Sequence, residues 1–269
     1  MASLPPIDVP KGATGAGAFD EPAAGAPDSA RHDYLLRLGD DALILGQRLG
    51  EWCGHAPALE VDLSLTNLAL DLIGQATHLL SAAGDADELA FHRDVLDFRN
   101  CLLVEQPNGD FGQTIARQLL FSTWQHMLYE RLTQSNDELL RDIAGKAVKE
   151  VAYHRELAAE WTVRLGDGTE ESATRMRAGL DWCWRFVPEL FEVDELLGGL
   201  IASGVAAYPR TFEAEYRSAI GAVLADANLE TPPDQRAILG GRRGHHSEHL
   251  GHLLAPMQYL PRTYPDAKW

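Results

Sequence analysis

The sequence predicts an all-α protein, a four-helix core with additional C-terminal helices, on three observations. Apolar residues recur at threes and fours over several long stretches, no stretch shows sustained alternation of apolar and polar residues, and no two-residue turn joins a pair of strand-like runs. The chain has 269 residues, enough to bury a sizeable core, and a single helical domain over residues 29–269 is expected. Residues 1–28 are rich in Ala, Gly and Pro, with one lysine and no sustained apolar run, so they read as a disordered tail and not as a signal peptide.

Taken in order, residues 32–52 carry Leu35, Leu38, Ala42, Leu45, Leu49 and Trp52 on one stripe, with Asp28 or Ser29 placed to cap the start. A turn at Gly54-His55-Ala56-Pro57 leads into a second helix, Leu59–Ala83. Its core stripe is expected at Leu63, Leu70, Ile73, Thr77 and Leu80, and the short loop makes the pair an antiparallel hairpin. A less regular helix over 87–101 ends before Gln106-Pro107-Asn108-Gly109. Asp110 caps a third long helix, which runs to about Thr133 through Ile115, Leu119, Trp124 and Leu128, with Gln113 placed to complete a capping box. Ser135 or Asn136 caps the fourth, which stops at Leu165-Gly166-Asp167-Gly168 and closes a second hairpin. Helices over 170–186 and 209–227 follow. A last one, over 245–259, contains Pro256, which should break or kink it.

Composition narrows the function classes. A formal net charge of -17, from 40 acidic against 23 basic side chains, argues against nucleic acid or an anionic membrane surface as partner and favours a protein with a basic patch. The longest charge-poor run, residues 196–208, is far short of the about 20 residues that cross a bilayer. Three cysteines, Cys53, Cys101 and Cys183, are odd in number and widely separated, which suits neither a disulfide framework nor a metal knuckle; a cytoplasmic location is expected.

The residues closest to a chemical motif lie on the fourth helix, where Lys146, Glu150 and His154 are four apart and share one face. Helix-bundle di-iron proteins draw a Glu and, three residues on, a His from each of two helices. None of the ten histidines here follows a Glu or Asp by three. The stripe is therefore read either as a surface ladder or as a vestigial polar core in which the lysine stands where a metal cation would neutralise carboxylates. Asn67 and Asp71 on the second helix have the same spacing; Gln47, Arg48 and Glu51 on the first and Gln118, Gln125 and His126 on the third are further candidates. Near the C-terminus, His245 and His249, and Glu248 and His252, are each four apart, a spacing able to hold zinc on a helix though without the His-Glu-x-x-His order of a zinc protease.

Several blocks in order carry a family resemblance: Leu38-Gly-Asp-Asp-Ala-Leu-Ile-Leu-Gly-Gln-Arg-Leu-Gly-Glu-Trp-Cys-Gly-His-Ala-Pro57, Leu103-Val-Glu-Gln-Pro-Asn-Gly-Asp-Phe111, Glu150-Val-Ala-Tyr-His154, Glu248-His-Leu-Gly251 and Met257-Gln-Tyr259. From about residue 31 to the end the chain resembles the C-subunit family of bacterial 1,2-phenylacetyl-CoA epoxidases. The resemblance implies a ferritin-like bundle without a catalytic or metal site of its own, pairing with a homologous catalytic A subunit that holds the di-iron centre and the acyl-CoA. It also implies a small B subunit and a reductase with FAD, an iron–sulfur centre and NADPH. Two alternatives remain at this point: a metalloprotein acting as an oxidase or hydrolase through a non-standard Glu-x-x-x-His site, and a bundle that forms a homodimer. An obligate partner would cover well over about 2,000 Å², with the surfaces around Leu43, Leu65 and Leu72 as the expected contact.

Overall fold

A computed structural model of the protein describes residues 27–267; the expected tail, apart from its last two residues, lies outside that range. Ten α-helices and four short 3-10 turns make up the described chain, with no strand among those residues. The first hairpin is α1 (Pro27–Gly50) and α2 (Leu59–Ala83), the second α5 (Phe111–Leu132) and α6 (Glu138–Gly166). Trp52, just past α1, donates its indole N–H to Thr114 at the start of α5 (2.9 Å). So α2 and α5 both begin at the same end, and the connection between them must return the length of the bundle. That long crossover is the ferritin-like connectivity.

The return is made by α3 (Ala86–Phe91), a 3-10 turn at Val95–Asp97 and α4 (Leu102–Glu105), so the single helix expected over 87–101 is instead broken into short pieces. Asp94 caps the middle piece, and extended backbone at Phe98 and Cys101 turns the chain inward. Beyond the four long helices come α7 (Glu170–Trp184), α8 (Glu195–Ala202), α9 (Glu213–Asp226) and α10 (Glu248–Thr263). No sequence signal marked α8, because Gly198-Gly199 interrupts its apolar pattern; Asp194, whose carboxylate accepts from the Leu197 N–H, starts it.

Leu35, Leu38, Ala42, Leu45 and Leu49 of α1 are buried as expected, while Trp52, the last residue of the expected stripe, lies past the end of the helix and is half-buried. On α2 the expectation is corrected: Leu63 and Leu70 are 58% and 64% exposed, while Leu65, Leu68 and Leu72 are buried, as is Leu43 on α1. The surfaces expected to meet a partner are therefore core. This leucine-rich helix has two apolar faces, and spacing alone does not choose between them. Close approach to α1 accompanies the buried side: a Cβ at Gly39 would sit 2.8 Å from the Leu80 side chain and one at Gly46 3.1 Å from Ile73, so these glycines make room for Leu80 and Ile73 of α2.

Caps refine the remaining boundaries. Asp110 accepts from the Gln113 N–H, but the Gln113 side chain donates to the Pro107 carbonyl, leaving the capping box half formed. Asp137 caps α6 in place of Ser135 or Asn136, whose side chains instead bind the carbonyls of Val205 and Ser203. Pro256 and Pro261 do not break α10; each removes one N–H, and Pro256 lies on the exposed side, where water can satisfy the freed carbonyl. α5 is buried nearly all round, the mark of a central helix.

Candidate functional site

Helices α2 and α6 run antiparallel and meet through three polar rungs. His154 Nε2 lies 3.1 Å from Asp71 Oδ2, Gln75 donates to Glu150 (3.0 Å), and Lys146 Nζ lies 3.5 Å from His78 Nε2. Behind the middle rung, Gln125 of α5 donates to Gln75 (3.2 Å) and approaches the Tyr129 hydroxyl (3.4 Å). The ladder is graded: His154 is fully buried, Glu150 half-buried and Lys146 exposed.

Placement of the sequence candidates follows from this gradient. Asp71, Glu150 and His154 do come together at the bundle seam, but on different rungs. Asn67 is exposed, and Gln47 is half-buried on α1 outside the rungs. Lys146 forms no ion pair with Glu150, so its reading as a stand-in for a buried metal cation is corrected: it is a surface group beside His78. Substituting Lys146→Met is accordingly expected to change stability by no more than about 0.5 kcal/mol in urea unfolding, as for exposed positions in general. His126 is also outside the seam, beside Arg155 and Glu130; burial, opposed by Glu130, lowers its pKa.

A di-iron centre does not fit these residues. The seam offers two carboxylates, Asp71 and Glu150, and two imidazoles on its outer rungs, His154 and His78, while Gln75 and Gln125 supply neutral amides, so two divalent cations would be left with half their charge uncompensated. Among the described residues no three His, Cys, Asp or Glu side chains gather as a metal site. Of the two C-terminal pairs, Glu248 and His252 share a face of α10, but His245 and His249 are separated. Helix α10 begins at Glu248, so His245 precedes it and does not share a face with His249, while His249 and His252 pack ring against ring at 6.5 Å.

A larger polar assembly lies at α1 and was not anticipated. Asp40 pairs with Arg93 and accepts from the Arg99 N–H. Asp41 accepts from the Cys101 N–H and from Arg242, both at 2.7 Å. Glu189 accepts three backbone N–H groups, those of Leu102, Gly240 and Gly241. Burial pushes these three carboxyls above their ordinary range, against the pull of the arginines and N–H donors. Glu105 accepts from Asn100 and the Ser247 N–H and lies 2.7 Å from His246 Nδ1. His246 Nε2 faces the Phe98 carbonyl at 2.9 Å, so each ring nitrogen has an oxygen beside it, an arrangement that favours the protonated ring. Burial alone would lower its pKa; the hydrogen bond and charge of Glu105 outweigh that and raise it. Together these contacts fasten the crossover and the loop before α10 to α1. The one sequence signal was Asp40-Asp41 interrupting an apolar helix, within the first of the blocks that carry the family resemblance.

Among the described residues no helix is long and apolar enough to cross a membrane. Comparison with known proteins agrees with the blocks. A family model described as phenylacetic acid catabolic protein matches residues 20–269. The chain is 48% identical over 242 residues to the C subunit of 1,2-phenylacetyl-CoA epoxidase from Escherichia coli (strain K12), an alignment that spans 88% of this chain and 98% of that one. The match runs through both hairpins, the crossover and the C-terminal helices, and so covers every element that builds the seam and the ionic assembly: the chain belongs to the phenylacetic acid catabolic protein family.

Proposed function

We propose that this chain is the non-catalytic structural subunit of a multicomponent di-iron oxygenase that epoxidises the ring of phenylacetyl-CoA, and that it pairs with and stabilises the catalytic A subunit. The observation that carries the reading is the Gln125–Gln75–Glu150 relay: amides occupy the middle of the seam and engage the carboxylate that a metal would need. Similarity along nearly the whole chain to the C subunit of an epoxidase supports the complex and its substrate. Iron and acyl-CoA then belong to the catalytic partner, and FAD, the iron–sulfur centre and NADPH to the reductase; the assembly also includes a small B subunit.

Reconstitution tests this. The chain is co-expressed with the A, B and reductase homologues of the same genome, and NADPH- and O2-dependent turnover of phenylacetyl-CoA is followed. Omitting the chain should abolish turnover and leave the A subunit unstable. The seam variants Glu150→Gln and His154→Gln, once shown to assemble, should retain turnover within about twofold; a loss of two orders of magnitude from an intact complex would place chemistry in this chain.

A further inference from the structure

Four buried polar atoms find no hydrogen-bond partner among the described residues, and the residues that carry them all line one cavity. They are the Tyr34 hydroxyl, Arg37 Nε, Trp124 Nε1 and Glu192 Oε2. Tyr34 and Trp124 are each 4% exposed and Arg37 9%. The cavity, of about 40 Å³, lies between α1, α5 and the 3-10 turn at Val187–Phe191, with Leu38, Leu128 and Leu190 as its apolar walls. A buried donor or acceptor left unpaired gives up its hydration without return, so folded proteins nearly always supply it with a partner. Four such atoms around one space mark a site for a ligand.

Charge and size identify what fits. Two cationic and two anionic side chains line the cavity, and each is already matched: Arg37 pairs with Asp194, Arg242 with Asp41 and Glu192 with Arg243, while Glu189 accepts three backbone N–H groups. An anion would face Glu189 and Glu192, and a cation Arg37 and Arg242, with no unmatched charge to hold either. The open hydrogen-bonding positions are mixed: Arg37 Nε–H and Trp124 Nε1–H donate, Glu192 Oε2 accepts, and the Tyr34 hydroxyl does both. The ligand is therefore neutral, small, and both a donor and an acceptor. At the roughly 10–15 Å³ that one water needs, about 40 Å³ admits about three. We infer that this cavity is a structural-water site, in which a small cluster of bound waters bridges Tyr34 and Arg37 of α1, Trp124 of α5 and Glu192. Arg242 and Glu189 of the ionic assembly form part of its wall, so the waters extend the polar contacts of that assembly to α5.

High-resolution crystallography of the full chain tests this. The expected map shows about three ordered waters in the cavity, placed so that each of the four atoms lies within roughly 2.7–3.2 Å of one of them. In solution the Trp124 indole N–H should give a nuclear Overhauser effect to water with the sign of a long-lived bound molecule, and Trp124→Phe assigns that signal by removing it. Tyr34→Phe keeps the ring and its packing, so it should fold like the parent, lose the water held by the hydroxyl and retain the Trp124 signal. A dry cavity overturns the assignment, as do side chains that pair directly with one another, density for an ion in place of water, or an unchanged set of waters in Tyr34→Phe.

Discussion

Replacing Arg242 with methionine should destabilise the protein by about 3–5 kcal/mol, the range for removing one member of a buried ion pair. Arg242 donates to Asp41 at 2.7 Å and to the carbonyls of Arg37 and Arg99, linking α1, the crossover and the loop before α10. Burial disfavours the Arg242 charge, but Asp41 outweighs that and holds the guanidinium pKa above its ordinary value. Without the arginine, Asp41 keeps only the Cys101 N–H and must either stay charged in the core or take up a proton. Urea unfolding at neutral pH checks the magnitude. The paired variant Asp41→Leu with Arg242→Met should recover a large part of the loss, because no charge is then left unmatched; equal destabilisation by the single and double variants would show that packing of the Arg242 stem, and not the ion pair, was responsible.

His246→Leu should cost about 2–3 kcal/mol near pH 6. The loss is smaller than for Arg242 because Glu105 keeps its hydrogen bonds from Asn100 and the Ser247 N–H. This site also gives stability a pH dependence of known sign. The folded-state pKa of His246 is raised above that of the unfolded chain. Its contribution is therefore fully present below about pH 6.5 and is lost as pH rises through the folded pKa. Unfolding free energies measured from pH 6 upward should fall more steeply in the parent than in His246→Leu, the two curves converging at high pH. Parallel curves would mean that His246 does not change protonation on unfolding.

What sequence reasoning reached and missed follows from the range of the interactions. Helix existence was legible wherever a stripe was single, as on α1. On α2 the helix and its bounds were legible but its buried face was not, because leucines populate two faces and the close packing of Leu80 on Gly39 and Ile73 on Gly46 involves the neighbouring helix. Asp71, Glu150 and His154 were identified as polar core candidates, yet the gradient from buried His154 to exposed Lys146 depends on where the seam opens to solvent, which four-residue spacing does not encode. The ionic assembly was the least accessible: Asp41 and Arg242 are 201 residues apart, and neither belongs to a spaced motif. His246 was passed over in favour of its neighbours because the helix starts two residues after it, so helical spacing was the wrong measure for that cluster.

The central claim, that this chain supports an oxygenase whose iron lies elsewhere, is tested most directly by anomalous diffraction at the iron edge from crystals of the active complex. The expected map has its iron peaks in the catalytic partner and none at the α2–α6 seam, where Gln75 and Gln125 remain hydrogen-bonded. An iron peak among Asp71, Glu150 and His154 of this chain would contradict it.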